Sequence, residues 1–159
     1  KSFAIYEQTQ GQIDLHACDI NESRLAIMQV EGERLGHNLQ YHQIEIDGEG
    51  VPSQDWNVVL CDVPCSNSGV FNKRAEARHR FSKKYLHEVE TMQNVFRKKV
   101  LSRVVGEKTR VLYSTCSLEP EENQMMAARI AKAFSKKILN EKTFEPSREN
   151  AGGYAALIG

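Results

Sequence analysis

VVLCDVPCSNSGV (residues 58–70) and VLYSTCSLEPEEN (residues 111–123) share one pattern, an apolar run followed by a cysteine in a polar turn. The apolar runs predict two buried strands that end shortly before Cys65 and Cys116. Two interpretations are open for these cysteines. Either they are small core residues at strand ends, or the two turns meet and the sulfur atoms carry out chemistry.

Strand-like and helical patterns alternate along the rest of the chain. Strands are predicted at 12–19, 39–47, 56–62 and 109–116, with a weaker pair at 136–144 and 154–159. Amphipathic spacing predicts helices over 21–38 and roughly 82–105, and Pro120 suits the first turn of another. The alternation favours an α/β fold with a mostly parallel sheet and helices on both faces. No repeat or linker divides the chain, so a single domain over residues 1–159 is predicted.

The predicted helices carry apolar stripes that are most simply core. The helix at 82–105 presents Val89 and Met92, among others, on its inner face. The helix that starts near Pro120 presents Ile130 and Ala133. Glu122 is expected at the N-terminal end of this last helix, where the helix dipole favours an acidic side chain.

The composition is that of an ordinary globular protein, with 40% hydrophobic and 26% charged residues among 159. No apolar run approaches membrane-spanning length, and the first residues lack the pattern of a secretory signal peptide. The four cysteines form no regular framework. The sequence therefore favours an intracellular, cytoplasmic protein with reduced thiols and no membrane partner.

Charge is balanced overall but unevenly distributed. With 21 basic and 21 acidic residues, the chain as a whole is not an electrostatic nucleic-acid binder. The segment 72–84 (the basic segment) contains one acid, Glu76, and six basic residues: Lys73, Arg74, Arg78, Arg80, Lys83 and Lys84. It can neutralise phosphates, or it can be a solvated helix face, and both interpretations are open.

Four of the predicted strands end in a polar or reactive residue: Asp19, Asp47, Asp62 and Cys116. In open α/β sheets, ligands bind beyond the carboxyl ends of the strands, so this edge is a candidate site. Asp19 can accept hydrogen bonds from both hydroxyls of a nucleotide ribose, or it can cap the helix that follows. For Asp47, a role in the Asp-Gly turn suffices.

The surroundings of Cys116 are polar, with Ser114, Thr115 and Ser117 as neighbours. It precedes a predicted helix, whose N-terminal amides lower the pKa of a nearby thiol; an inert buried cysteine is the alternative. No metal site is predicted, because no second cysteine pair or histidine has the ligand spacing of zinc. Cys61 is expected in the core. Without a Cys-x-x-Cys motif, a thiol redox protein is disfavoured.

The chain resembles a known family in the order of its motifs. DVPCS at 62–66 is followed by the basic segment, a long helix and YSTCSLEPEEN at 113–123. The family is that of the RNA cytosine-5 methyltransferases of the Sun/nucleolar-protein group, which includes bacterial small-subunit rRNA methyltransferases. The resemblance runs the length of the chain and is strongest around the Pro-Cys and Thr-Cys motifs. ACDINESRL at 17–25 is similar to the family's ribose-binding acid segment, and GGYAALI at 152–158 to its final strand.

The resemblance implies a Rossmann-like class I methyltransferase fold and S-adenosylmethionine-dependent methylation of cytosine C5 in RNA, with rRNA as the expected partner. It implies that Cys116 adds to C6 of the base, that Cys65 assists release of the covalent product, and that Asp62 contacts the base. DNA cytosine-5 enzymes attack with the Pro-Cys cysteine and lack the Thr-Cys partner. The presence of both motifs therefore favours RNA as the substrate class.

The resemblance also implies two sets of binding residues. The cofactor is expected to contact Lys1, Asp19, Asp47, Asp62 and Pro64. The RNA backbone is expected to contact Lys73, Arg74, Arg78 and Arg80.

The N-terminal end departs from the family pattern. Family members carry a strand and a glycine-rich loop that ends in Pro-Gly-Gly-Lys, and the distance to Asp19 suits Lys1 as that lysine. The first strand and the loop are then expected to be absent, and cofactor binding by this chain to be impaired. Asn67 and Ser68 also replace a more usual glycine-containing pair. The alternative function is a noncatalytic RNA-binding or assembly module that retains the fold.

Overall fold

The computed structural model describes residues 1–159, which form two compact units, Lys1–Ser53 and Gln54–Gly159. The smaller unit contains α1 (Ser2–Gln8), β1 (His16–Asp19), α2 (Glu22–Arg34) and β2 (Gln40–Gln43). The larger unit contains β3 (Val58–Asp62), a 3₁₀ turn (Ser68–Val70), α3 (Ala75–Arg80), α4 (Lys83–Phe96), a π-helical turn (Arg97–Leu101), α5 (Ser102–Val104), β4 (Arg110–Thr115), α6 (Gln124–Ala133), β5 (Ile138–Phe144) and β6 (Gly153–Ile158). Strands and helices are mixed in both units, which confirms the α/β class. That residues 1–159 act as one domain stays a prediction.

In the smaller unit, β1 and β2 form a parallel two-stranded sheet, with His16 opposite Gln40. The helix α2 connects them. Its N-cap is Asn21, whose side-chain oxygen accepts a hydrogen bond from the Arg24 amide at 3.0 Å. Leu25 on α2 is buried in the core of this unit. The parallel pairing places the carboxyl ends of both strands at one edge of the sheet.

The larger unit is built on a four-stranded sheet with the order β3-β4-β6-β5. β3 and β4 are parallel, whereas β6 is antiparallel to both β4 and β5. The prediction of a mostly parallel sheet is therefore wrong for the part of the sheet that β4, β6 and β5 form. The connection from β5 to β6 spans only residues 145–152, which is too short for the crossover that a parallel pair needs. On β4 and β6, one face is fully buried through alternate residues of the two strands: Val111, Tyr113, Ala156 and Ile158.

The long helix predicted over 82–105 is confirmed as a continuous helical segment. It begins after Ser82, whose hydroxyl accepts a hydrogen bond from the Tyr85 amide at 3.1 Å. The segment then runs from α4 through the π-helical turn into α5. Because a π turn inserts an extra residue into the helix, side chains beyond Phe96 are rotated relative to those before it.

The inner face of α4 differs from the prediction at one position. Val89 is buried as predicted, but Met92 is 42% exposed and the neighbouring Gln93 is buried instead. The Gln93 side-chain amide donates to the Pro64 carbonyl at 2.8 Å and to Glu122 at 3.2 Å. A buried amide is tolerated once it is hydrogen-bonded, so partners distant in sequence decide which side chain faces the core.

The last predicted helix begins later than expected. Pro120 lies in a turn, and α6 begins only after Asn123. The side chains of Glu122 and Asn123 are buried and hydrogen-bonded, which holds this stretch in a turn rather than in a helix. Ile130 is buried as predicted, whereas Ala133 is exposed. No helix in the chain combines the length and the hydropathy that crossing a membrane requires.

Candidate active site

The parallel strands β3 and β4 bring the two cysteine motifs to one edge of the larger sheet. They are hydrogen-bonded neighbours, and Asp62 at the end of β3 lies opposite Ser114 near the end of β4. Because parallel strands end at the same edge, the loops that follow them can meet. Cys65 lies in the loop after β3, and Cys116 directly follows β4.

The sulfur atoms of Cys65 and Cys116 (the cysteine pair) are in hydrogen-bonding contact. Their separation is 3.0 Å, and the Cys116 amide donates to the Cys65 sulfur at 3.3 Å. Cys65 is buried, Cys116 is half-buried, and both are free thiols. Of the two interpretations of the sequence, the structure therefore supports the one in which the turns meet.

Hydrogen bonding within the cysteine pair separates the acidities of its two thiols. The Cys65 thiol donates to Cys116 and stabilises a thiolate there, which lowers the pKa of Cys116 to about 7. The same hydrogen bond, together with burial, raises the pKa of Cys65. The lowered pKa was predicted, but from the wrong cause: α6 begins only after Asn123, and the neighbouring thiol has the largest effect.

Two charged side chains act on Cys116 with opposite sign. Asp62 raises the pKa of Cys116 because its negative charge repels a thiolate, and Arg74 lowers it by attraction. Asp62 is exposed at the end of β3, and Arg74 is exposed just before α3. Both residues therefore belong to the electrostatic environment of the cysteine pair.

Asn67 is a third side chain in contact with the cysteine pair. Its backbone is left-handed, with φ of 63°, a conformation that Asn tolerates better than most residues. The Cys116 thiol donates to Asn67 Oδ1 at 2.9 Å, and Asn67 Nδ2 donates to the Cys65 carbonyl at 3.1 Å. In the sequence this position was notable only as a departure from the family pattern.

A buried polar cluster around Glu122 joins the two loops. Glu122 Oε1 accepts hydrogen bonds from the Ser66 amide at 2.8 Å and from Gln93, and Oε2 accepts from the Ser117 hydroxyl at 2.6 Å. Ser117 is also 3.1 Å from the Ser66 hydroxyl and 3.2 Å from that of Ser68. Glu122 was predicted at the N-terminal end of the last helix, but it lies before α6 and its side chain is buried. No periodic signal marks it, since its partners lie up to 56 residues away in the chain.

Glycines allow three backbone segments to meet beside the cysteine pair. The Gly69 amide donates to the Cys116 carbonyl at 3.0 Å, and the Gly152 amide donates to the Gly69 carbonyl at 2.7 Å. A Cβ atom on Gly69 would lie 2.5 Å from the Gly152 oxygen, and one on Gly153 would lie 2.6 Å from the Thr115 oxygen. Only residues without a Cβ atom permit this approach.

Asp19 and Lys1, two of the predicted cofactor-binding residues, belong to the smaller unit. Asp19 ends β1 as predicted, and its Oδ1 accepts a hydrogen bond from the Asn21 amide at 2.9 Å. Its Oδ2 lies 3.7 Å from the Arg24 guanidinium. Asn21, not Asp19, caps α2, and a carboxylate has acceptor capacity beyond these contacts. Lys1 is exposed and directly precedes α1.

Asp47 does not end a strand, so the predicted strand boundary is wrong. β2 ends at Gln43, and Asp47 lies in the following turn, where its Oδ1 accepts a hydrogen bond from the Glu49 amide at 3.1 Å. Gly48 and Gly50 have φ values of 88° and 78°, which bend the chain away from the extended conformation. The turn role that the sequence suggested for Asp47 is confirmed.

Pro64, the remaining predicted cofactor contact, is exposed in the loop after β3. Its carbonyl accepts a hydrogen bond from the Gln93 amide at 2.8 Å, which fixes the start of the loop that carries Cys65. No group of three or more His, Cys, Asp or Glu side chains is placed to hold a metal ion.

The basic segment is exposed, but two of its four predicted RNA-binding residues have partners within the protein. Lys73 donates to a backbone carbonyl at 2.8 Å, and the Arg80 guanidinium lies 4.8 Å from the centre of the Tyr85 ring. Arg74 and Arg78 are exposed before and on α3. The geometry is compatible with a phosphate-binding surface and with a solvated helix face, so both interpretations stay open.

Comparison with known proteins gives a consistent family. Residues 1–156 match the family model described as 16S rRNA methyltransferase RsmB/F. Ribosomal RNA small subunit methyltransferase F of Cronobacter sakazakii is 30% identical over 127 residues, which cover 78% of this chain and 26% of the relative. Ribosomal RNA small subunit methyltransferase B of Enterobacter sp. (strain 638) is 28% identical over 121 residues, 75% of this chain and 28% of the relative. The chain thus spans about a quarter of the length of these curated relatives.

A solved structure shares the fold. NSun6 from Pyrococcus horikoshii with SFG matches with a TM-score of 0.84 at 20% sequence identity, over 98% of this chain and 44% of that protein. At this identity the likeness concerns the fold alone. It confirms the predicted Rossmann-like methyltransferase fold.

Proposed function

The chain belongs to the RsmB/F family of 16S rRNA methyltransferases, and we propose that it methylates cytosine C5 in small-subunit rRNA through the cysteine pair. The observation that carries this proposal is the 3.0 Å contact between two thiols, one of which has a pKa of about 7. Such a thiol is substantially ionised at neutral pH, and the thiolate is the form that attacks carbon.

Cys116 is the proposed nucleophile. C5 of cytosine is too poor a nucleophile to take a methyl group unaided, and addition of the Cys116 thiolate to C6 makes C5 enamine-like. Once C5 carries the methyl group, its proton passes to water and the carbon–sulfur bond breaks, which restores the C5–C6 double bond and the Cys116 thiolate. Cys116 is half-buried, so it is less shielded from a substrate than the buried Cys65. The target base must be unstacked to present C6 to it.

Cys65 is the proposed release partner. Its raised pKa keeps it protonated at a pH where Cys116 ionises. A protonated thiol 3.0 Å from the nucleophile can donate a hydrogen bond to the departing Cys116 sulfur and so stabilise it as a leaving group. The different acidities of the two thiols support these different roles.

Asp62 is proposed to orient the base. Its exposed carboxylate stands at the strand edge and can accept a hydrogen bond from the exocyclic amino group of cytosine, a donor that uracil lacks. Its electrostatic effect on Cys116 supports a position near the reacting atoms.

S-adenosylmethionine is the proposed methyl donor, and it supplies an electrophilic methyl group when bound. The donor chemistry of the chain fits a nucleoside, because the Asp19 carboxylate at the end of β1 retains acceptor capacity for ribose hydroxyls. Within the same unit, Lys1 and Asp47 are the further proposed contacts.

The basic segment is the proposed contact for the RNA backbone. Arg74 supports this, since it is exposed and yet close enough to Cys116 to lower the pKa of that thiol. A phosphate next to the target base can therefore pair with Arg74 while the base reaches the cysteine pair. Arg78 and Arg80 lie on α3 and Lys73 lies shortly before it, so they extend the positive surface around Arg74.

A methylation assay tests the proposal. The protein is incubated with S-adenosylmethionine and unmethylated 16S rRNA, and 5-methylcytosine is mapped by bisulfite sequencing. We expect methylation by the wild type and by Cys18→Ala, which removes an exposed cysteine outside the pair, but none by Cys116→Ala. Wild-type protein that binds the rRNA without methylating it would instead support the noncatalytic assembly module.

A further inference from the structure

The Cys116 sulfur has two side-chain partners with opposite effects on its ionisation. Cys65 donates a hydrogen bond to it and so favours the thiolate, whereas Asn67 Oδ1 accepts the hydrogen of the Cys116 thiol at 2.9 Å and so favours the thiol. The catalytic roles proposed for Cys116, Cys65 and Asp62 leave Asn67 without a function.

The orientation of the Asn67 amide is determined by its second contact. The amide nitrogen lies 3.1 Å from the Cys65 carbonyl, an oxygen that can only accept a hydrogen bond. The other end of the amide, which faces Cys116, must therefore be the carbonyl oxygen. An oxygen in this position is stabilised by the thiol and repelled by the thiolate.

The loop holds this side chain in place. Asn67 has a left-handed backbone and its carbonyl accepts a hydrogen bond from the Val70 amide at 3.1 Å. The preceding residue, Ser66, is fixed by the hydrogen bond that its backbone amide donates to the buried Glu122 carboxylate. The Asn67 side chain is thus preorganised by its own loop, with no ligand required.

We propose that Asn67 is a positioning residue that favours the thiol form of Cys116 and so opposes the effect of Cys65. The proposal rests on the role of Cys116 as nucleophile. On ionisation the thiol proton passes to water and Asn67 only loses its hydrogen-bond donor. Asn67 and Cys65 together set the pH at which Cys116 becomes reactive. The remaining groups that face Cys116 are Asp62, which disfavours the thiolate, and Arg74, which favours it.

The pH profile of Cys116 alkylation tests this proposal in the 159-residue chain. Iodoacetamide reacts with the thiolate, and tryptic cleavage releases Cys116 on the peptide 111–129, which contains no other cysteine. Asn67→Gly removes the acceptor and tolerates the left-handed backbone. We expect its midpoint to shift to lower pH by about half a unit to one unit, which is a three- to tenfold gain in rate below the midpoint.

Two further variants complete the series. Asn67→Asp has nearly the same shape but places a negative charge beside the sulfur, so we expect its midpoint to rise. Asn72→Gly is the matched control. Asn72 is exposed, and its side-chain amide donates a hydrogen bond to the Ser147 carbonyl rather than contacting the cysteine pair. We expect it to keep the wild-type midpoint.

An unchanged or raised midpoint in Asn67→Gly overturns the proposal, and so does a lowered midpoint in Asn67→Asp. The assay needs neither RNA nor methyl donor. A failed methylation assay with the expected series would therefore reject the enzymatic function and leave the Asn67 contact standing. If the protein methylates rRNA but the Asn67 variants do not show the expected shifts in alkylation midpoint, only the role of Asn67 is rejected.

Discussion

Cys65 and Cys116 have the same functional group, but their surroundings make the Cys116 thiol the more acidic of the two. Cys116 accepts a hydrogen bond from Cys65, and the positive charge of Arg74 lowers its pKa further. Cys116 is also only half-buried. Cys65 is buried and donates that hydrogen bond, so its neutral form is favoured. The proposed division between nucleophile and release partner therefore rests on one contact between two side chains.

Replacement of Cys65 tests this contact. In Cys65→Ala the donor is lost, so we expect the Cys116 thiolate to titrate at higher pH than the wild-type value of about 7. Cys65→Ser retains a donor and should keep the midpoint near the wild type. Thiolate absorbance in the ultraviolet measures this, because the pKa of each other cysteine is raised. A midpoint that does not change in Cys65→Ala would contradict the account.

The acidity of Cys116 shows what sequence reasoning can reach at this scale. Its polar neighbours and the helix expected after it favoured a thiol with a lowered pKa, with an inert buried cysteine as the alternative. The cause was not predictable, because the partner thiol lies 51 residues away along the chain. Asn67 and Glu122 were missed for the same reason: their contacts depend on how two loops meet.

The loops after β3 and β4 are held together by their backbones as well as by side chains. The Gly69 amide donates a hydrogen bond to the Cys116 carbonyl, and the Gly69 carbonyl accepts one from the Gly152 amide. This arrangement fixes the loop that carries Cys65 against the end of β4. The geometry of the cysteine pair thus depends on close packing of glycines that themselves have no chemistry.

We expect Gly69→Ala to displace this loop and lower the alkylation rate of Cys116 at neutral pH. The new Cβ atom would lie 2.5 Å from the Gly152 oxygen, a distance that backbone atoms must relieve by moving. Gly106→Ala is the matched control, since its Cβ atom would meet only Thr109 Oγ1 at 3.6 Å. Equal alkylation rates in the two variants would show that the position of the loop does not depend on the close contact between Gly69 and Gly152.

Glu122→Gln tests the buried cluster. The substitution keeps the shape but turns one acceptor oxygen into a donor that faces the donors of Ser66, Gln93 or Ser117. We expect the free energy of unfolding to fall by about 2–4 kcal/mol. Urea denaturation measures it, with Glu121→Gln, at a less buried neighbouring position, as the control. A loss no larger than that of the control would mean that the cluster does not stabilise the loops.

At the scale of helices and strands, the sequence pattern located most elements and failed where polar side chains are buried. β3 and β4 were predicted because their apolar runs end in turn residues. The start of α6 was placed too early, because Pro120 and the acids that follow it are typical of a helix N-terminus. Buried hydrogen bonds of Glu122 and Asn123 hold a turn there instead.

The two compact units differ in the structure available to stabilise them. Lys1–Ser53 has a two-stranded sheet and four buried hydrophobic side chains, Ala17, Leu25, Leu39 and Ile44. Gln54–Gly159 has a four-stranded sheet with a continuous buried face on β4 and β6. Two-stranded sheets are marginally stable, so unequal resistance to opening is expected.

Hydrogen–deuterium exchange of the 159-residue chain measures this difference. We expect amides of β4 and β6 to be the most protected and those of β1 and β2 to exchange much faster, because fewer apolar contacts oppose their opening. Peptides from the two sheets report on them separately. Equal protection of both sheets would contradict this prediction.

The arrangement of the whole sheet was predictable only in part. Alternating strands and helices indicated the α/β class, and the parallel β3–β4 pair follows from it. The place of β6 between β4 and β5 does not, because its pairing is set by the short connection after β5 and by the close fit of Gly153 against Thr115. That fit is a contact between chain segments, and a single sequence does not display it.

The central claim, that Cys116 attacks the base and Cys65 releases it, is tested most directly by trapping the covalent intermediate. The Cys65→Ala protein is incubated with S-adenosylmethionine and 16S rRNA at a pH of about 9, where Cys116 ionises without its partner. After nuclease digestion, mass spectrometry is predicted to find a methylated cytidine adduct on peptide 111–129 at Cys116, and none in Cys116→Ala. An adduct on another cysteine, or no adduct while methylation proceeds, would contradict the account.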